Sequence, residues 1–155
     1  MTDDVKKRIY FAAPLFTQAE WLWNARLTAE LRASGVEVLA PQETAEPMLS
    51  GAKTYNPRKL FERNIKDMDK AKVVLAILDQ ADPDSGTCWE CGYAFKAGYP
   101  IIGLRTDIRS GGDDKGHGVN LMLSRSCRAF VLVPLAKRDD LKWVAREVLK
   151  KLKRL

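Results

Sequence analysis

Soft metal ligands are scarce in this 155-residue chain, which has one histidine and three cysteines. Three is an odd number with no disulfide spacing, which points to a reducing compartment rather than a stapled secreted domain. His117 and Cys127 are the only soft ligands apart from Cys88 and Cys91, and their spacing matches no zinc pattern. Cys88 and Cys91 form a C-x-x-C at a helix start after a strand, the position of a redox pair. Extra carboxylates in that connection, and no other thioredoxin-like mark, argue against redox chemistry. No apolar run approaches the ~20 residues of a membrane span. Neither G-x-G-x-x-G nor G-x-x-x-x-G-K-[ST] occurs, so neither a dinucleotide nor a nucleoside triphosphate is suggested. Met1 to Arg8 is polar and lacks the apolar stretch of a signal peptide, so the expected location is the cytoplasm. No metal and no cofactor is expected.

Charge is present in excess of one sign, with 26 Lys and Arg against 20 Asp and Glu, a net +6. Most of that excess is local, because Lys137 to Leu155 holds eight basic and three acidic residues. Leu141, Val144, Val148 and Leu152 fall there at helical spacing, giving an amphipathic helix with a solvated basic face. No aromatic interrupts the run Lys150 to Arg154, so neither nucleic acid nor membrane is the expected partner. Hydrophobic content of 46% and charged content of 30% suit one globular domain over residues 1–155.

Apolar runs alternate with helical patterns along the chain. Strands are expected at Ile9 to Ala13, Val36 to Ala40, Val73 to Leu78, Pro100 to Leu104 and Ala129 to Val133. Helices are expected at Gln18 to Ala33, Pro57 to Ala71 and Thr87 to Ala97, with a short one from Val119 to Ser124 and the terminal one. Gln42 to Asn56 and Ser110 to Gly118 read as polar loops. Strand–helix alternation of this kind implies an α/β doubly wound sheet of five parallel strands. Ligands bind such sheets beyond the carboxyl ends of the strands, at the topological switch point.

That end collects Asp84-Ser85-Gly86-Thr87-Cys88-Trp89-Glu90, two carboxylates six residues apart across a Ser-Gly turn. Asp84 is expected in the loop and Glu90 in the first helical turn, both facing one cleft. Chemistry at a glycosidic carbon uses such a pair, one carboxylate meeting positive charge at C1′ and the other fixing a hydroxyl or moving protons. Thr87-x-x-Glu90 is equally a capping box for that helix. Local amides and the helix N-terminus would favour the ionised form of Glu90.

Four blocks in order carry a resemblance. Ile9-Tyr10-Phe11-Ala12-Ala13-Pro14-Leu15-Phe16, then Asp84 to Ala94 with Gly98-Tyr99-Pro100-Ile101, then Arg105 to Arg109, then Asn120-Leu121-Met122 together resemble the nucleoside 2-deoxyribosyltransferase family. The resemblance implies a flavodoxin-like sheet and transfer of 2-deoxyribose between nucleobases, with 2′-deoxynucleosides and free bases as partners. It implies that Glu90 is the nucleophile, that Tyr10 positions it, and that Asp84 binds the sugar hydroxyls. Tyr10 also reads as an aromatic packing at a strand end. Asn120 and Met122 resemble the segment a neighbouring subunit lends to the site, which implies a homo-oligomer of dimers, up to a tetramer or hexamer. A helix cap and a core methionine are the plainer reading of that pair. Phe16 would stack on the base or pack in the core.

Asn64 stands where many family members carry an Asp that contacts the base and shuttles its proton. An amide hydrogen-bonds a base edge but is no general acid, so the proton would pass through Asp67, Asp107 or water. Two other functions share these residues. One is a hydrolase of deoxynucleosides or their 5′-monophosphates, with Ser124, Arg125 and Ser126 near the 5′ end. The other is a binding module without turnover.

Overall fold

The computed structural model describes residues 8–49 and 56–155. The polar N-terminal segment before Arg8 and residues 50–55 of the expected first loop lie outside the described residues. Five strands form one sheet: β1 (Arg8–Ala12), β2 (Glu37–Leu39), β3 (Val74–Ile77), β4 (Ile101–Arg105) and β5 (Ala129–Leu132). Their order is β2-β1-β3-β4-β5 and every pairing is parallel. This is the flavodoxin-like order, with its switch point between β1 and β3.

Helices cover both faces: α1 (Gln18–Ala33), α2 (Pro41–Leu49), α3 (Pro57–Ala71), α4 (Ser85–Lys96), α5 (Leu121–Ser126) and α6 (Leu141–Leu152). Alternation along β1 sorts the core. Ile9 and Phe11 pack with Leu27 and Leu31 of α1 and Val144 and Val148 of α6. Tyr10 and Ala12 face the opposite way, onto Met68 and Ala71 of α3 and Cys91 and Ala94 of α4. Strand β3 is buried on both faces, which is why Val73 to Leu78 is the most apolar run of the chain. Each fully buried Leu or Ile contributes about 1.5–3 kcal/mol relative to exposure. All three cysteines are free, and Cys91 is fully buried with its thiol pushed up chiefly by that burial. A redox pair needs the opposite shift.

Three helices differ from the sequence expectation, the least of them α5, which starts at Leu121, two residues late, where Asn120 caps it. Helix α2 occupies Pro41–Leu49, the first half of the expected loop. β2 ends at Leu39, and Pro41, expected to close the strand, is instead the first residue of the helix, where its missing N–H is no loss. Helix α4 begins at Ser85, two residues early, because Asp84 rather than Thr87 caps it. Asp84 Oδ2 accepts the Thr87 N–H at 2.8 Å and the Thr87 hydroxyl at 3.1 Å. Thr87 is therefore inside the helix, Glu90 lies in its second turn, and the Thr87–Glu90 capping box does not form. A capping box does form at α1, where Thr17 and Glu20 exchange hydrogen bonds.

Candidate active site

Parallel pairing of β1 with β3 brings the loops that follow them together at the carboxyl edge of the sheet. Tyr10 is fully buried on the face of β1 that α4 covers. Its hydroxyl donates to Glu90 Oε1 at 2.5 Å. Glu90 sits largely buried, and its carboxyl is pushed up to about 7. Burial is the main cause, the Tyr10 hydrogen bond pulls the other way, and the charge of Asp84 pushes up again. The expectation that helix amides would hold Glu90 ionised is thereby corrected: the cap position belongs to Asp84, and Glu90 is a turn deeper. Burial, then the charge and hydrogen bond of Glu90, push the Tyr10 phenol far upward, so it keeps its proton.

Glu90, Asp84, Asn64 and Phe16 line one cleft of about 170 Å³, walled by Leu60 and Pro41. A second cleft of about 410 Å³ shares Asp84 and Phe16 and adds Trp23, Asp79, Asp82 and Thr106. Phe16 is 66% exposed, so it is a cleft wall and not a core residue. Neither cleft is lined by a Lys, Arg or His among the described residues, whereas Glu20, Asp79, Asp82, Asp84 and Glu90 all contribute. Asn64 Oδ1 is buried without a hydrogen-bond partner. An orphaned buried acceptor costs about 1–3 kcal/mol, which a ligand donor can relieve.

Other candidates lie elsewhere. Asp107 lines neither cleft. It accepts hydrogen bonds from the Arg109 guanidinium and amide and from the Gln80 N–H, which hold its carboxyl well below the usual range. Asp67 is taken up by Arg63 at 2.7 Å and borders a groove on the β2 side. Asn120 caps α5, its side chain accepting the Met122 N–H at 2.9 Å. Met122 is 78% exposed, which excludes a core methionine, and neither residue lines the clefts of its own chain. Ser124 and Ser126 turn their hydroxyls onto carbonyls of α5, and Arg125 reaches toward Asp114 at 3.8 Å.

Two features escaped the sequence reading. Gln42 of α2 is buried, with Nε2 donating to the Trp21 carbonyl and Oε1 unpartnered. It lines a cavity of about 240 Å³ that shares Leu15 and Pro41 with the Glu90 cleft. The other is an exposed aromatic ladder, Phe61 edge-on to Trp89 at 5.5 Å and Trp89 stacked on Tyr93 at 5.8 Å. Its signal was the helical spacing of Trp89 and Tyr93 on one face of α4.

A family model described as nucleoside 2-deoxyribosyltransferase matches residues 9–122. The chain is 32% identical over 98 residues to the Thermofilum pendens protein named "Putative 2'-deoxynucleoside 5'-phosphate N-hydrolase 1". That match spans 63% of this chain and 66% of the relative, just under two thirds of its length. Among solved structures, a 2-deoxyribosyltransferase from Bacillus psychrosaccharolyticus superposes with a TM-score of 0.67 at 22% identity, over 94% of this chain and 95% of that one. The CMP N-glycosidase BcmB of Clostridium botulinum superposes with a TM-score of 0.58 at 18% identity, over 96% and 100%. These two likenesses establish the shared fold.

Proposed function

The chain belongs to the nucleoside 2-deoxyribosyltransferase family, and from that premise we propose that it moves 2-deoxyribose between nucleobases through a glycosyl-Glu90 intermediate. A Glu90 carboxylate oxygen attacks C1′, the C1′–N bond breaks, and its electron pair leaves with the base. A second base then attacks C1′ from the face the first one left, and Glu90 is released. Two inversions give net retention. Tyr10 orients the carboxylate through its hydroxyl, and Asp84 holds the sugar hydroxyls, contacts that tighten as positive charge grows at C1′. The observation that carries this reading is the 2.5 Å bond between a fully buried tyrosine and a largely buried glutamate at the switch point.

Neutral deoxynucleosides are the proposed donors. Carboxylates line both clefts and no cationic side chain does among the described residues, so the field of the described lining opposes a 5′-phosphate. The α4 N-terminus is an obvious anion site, but Asp84 already occupies its Thr87 amide. Asn120 and Met122, exposed and away from their own chain's clefts, are proposed to complete the site of a neighbouring copy.

A second reading, hydrolysis with water as acceptor, is favoured by the name of the Thermofilum pendens relative. Incubation of 2′-deoxyinosine with adenine separates the two. Formation of 2′-deoxyadenosine by wild type, and not by Glu90→Ala, establishes exchange. Free deoxyribose without exchange establishes hydrolysis, and a parallel arm with 2′-deoxyinosine 5′-monophosphate tests the donor. No product in any arm leaves a binding module.

A further inference from the structure

Of the block Arg105 to Arg109, Thr106 alone lines either of the clefts that share Asp84, so the rest of the block does not face a ligand there. Arg105 is 3% exposed at the end of β4. Its guanidinium donates to the carbonyls of Leu78 at 2.5 Å, Gln80 at 2.9 Å and Arg109 at 2.7 Å. A rigid fork of N–H donors can bridge separate acceptors in this way, where a single ammonium would not. Asp107 Oδ2 accepts the Gln80 N–H at 3.0 Å. Asp79, one residue earlier, accepts the amides of Thr106 and Asp107. Gln80 is thus tied at both its N–H and its carbonyl. Its φ is +73°, in the left-handed region that L side chains rarely adopt. Such a conformation persists where the surroundings over-determine it. The next residue, Ala81, is walled by Gly111, where a Cβ would stand 2.8 Å from the Ala81 Cα. The same loop then ends in Asp84, the cap of α4 and the carboxylate that shares the Glu90 cleft.

Resting on the proposed deoxyribosyl chemistry, we infer that Arg105 and Asp107 are positioning residues: they hold Gln80 in its left-handed turn, and that turn delivers Asp84 to the sugar beside Glu90. Strain at Gln80 is what requires a hold on both sides of it. Released from the clamp, Gln80 relaxes toward the extended backbone that a glutamine prefers, and the path from Ala81 to Asp84 changes with it. Neither Arg105 nor Asp107 lines a cleft of its own chain, and each acts through Asp84.

Two readouts test the clamp in Arg105→Lys and in Asp107→Ala, which releases the other end of Gln80. The first is native-state amide hydrogen exchange. In both variants the Thr87 N–H, which Asp84 holds, is expected to exchange at least ~10-fold faster than in wild type, beyond any change at Leu75 of β3, which reports global stability. The second is the ratio of kcat/KM for base release from 2′-deoxyinosine to that from 2′,3′-dideoxyinosine, which lacks a sugar hydroxyl for Asp84 to hold. A hydrogen bond to a charged group contributes about 10- to 100-fold, so Asp84→Ala is expected to lower the ratio by that factor. Arg105→Lys is expected to lower it at least ~5-fold, and Asp84→Ala then to lower it by less than it does alone. A defect of stability by itself slows both donors equally and leaves the ratio untouched. Wild-type exchange at Thr87 in both variants overturns the inference. So does an unchanged ratio in both, or Asp84→Ala acting in full on top of Arg105→Lys. Should Arg105→Lys not fold, Asp107→Ala decides alone. Wild type releasing hypoxanthine from 2′-deoxyinosine no faster than Glu90→Ala does would instead overturn the deoxyribosyl chemistry, and exchange at Thr87 would still decide the clamp.

Discussion

Tyr10 and Glu90, 80 residues apart in sequence, are joined by a 2.5 Å hydrogen bond that runs from the centre of the sheet to the second turn of α4. The glutamate is held where water cannot fully solvate its charge, and its carboxyl lies near 7 instead of 4.5. Between those values the folded state binds more protons than the unfolded chain. Stability attributable to Glu90 therefore falls as pH rises through that window and is fully lost above it. The shift corresponds to on the order of 3 kcal/mol. Glu90→Gln is expected to raise stability by about 2 kcal/mol more at pH 8 than at pH 5, read from urea midpoints. A gain that does not depend on pH would contradict a buried, destabilised carboxylate.

Activity should follow the opposite course, because the attacking group is the ionised one. For wild type, kcat/KM is expected to rise with pH and level off above about 7. Tyr10→Phe removes the hydrogen bond that pulls the Glu90 carboxyl down, so the midpoint of that rise should move to higher pH. A hydrogen bond to a charged group contributes about 1.5–3 kcal/mol, so the activity lost at pH 7 should be roughly 10- to 100-fold. An unshifted midpoint in the phenylalanine variant would mean that Tyr10 is only packing.

Asp84 has a structural and a chemical task that two substitutions separate. Asparagine also accepts the Thr87 N–H and caps well, whereas alanine cannot, so Asp84→Ala should lose about 1 kcal/mol and Asp84→Asn a few tenths. Both remove the charge beside Glu90, so both should move the pH–rate midpoint downward. Both should also admit a 5′-monophosphate better than wild type does. If Asp84→Asn leaves the ratio of nucleoside to monophosphate turnover unchanged, the field of the cleft is not what selects the donor.

The sheet was legible because its signals are local: Val73 to Leu78 reads as a strand buried on both faces, and Leu141, Val144, Val148 and Leu152 read as a helix face. Helix α2 was not, because Pro41 marks both the end of a strand and a tolerated first turn, and the polar residues that follow show little periodicity. At α4 the spacings Asp84-x-x-Thr87 and Thr87-x-x-Glu90 are both cap patterns, and the chain's path out of β3 selects the first. Resemblance pointed to Tyr10, Asp84 and Glu90 together, but the state of the Glu90 carboxyl depends on burial by distant strands, which no local pattern encodes. Asp107 lines neither cleft of its own chain for a related reason, since its neighbour Arg109 captures it within its own loop.

Asn120 and Met122 supply a test of subunit sharing that needs no structure of the assembly. Asn120 is exposed at the head of α5, Met122 is 78% exposed, and both stand off their own chain's clefts. If each site draws Glu90 from one copy and Asn120 from another, Glu90→Ala and Asn120→Ala are each deficient but in different halves of the site. Mixing the two and allowing subunits to exchange rebuilds one intact site in every mixed dimer, with the second site carrying both lesions. Random exchange at equal amounts should restore about a quarter of wild-type activity, in contrast to either variant alone. No recovery after verified exchange would place Asn120 in service of its own chain's α5 cap alone.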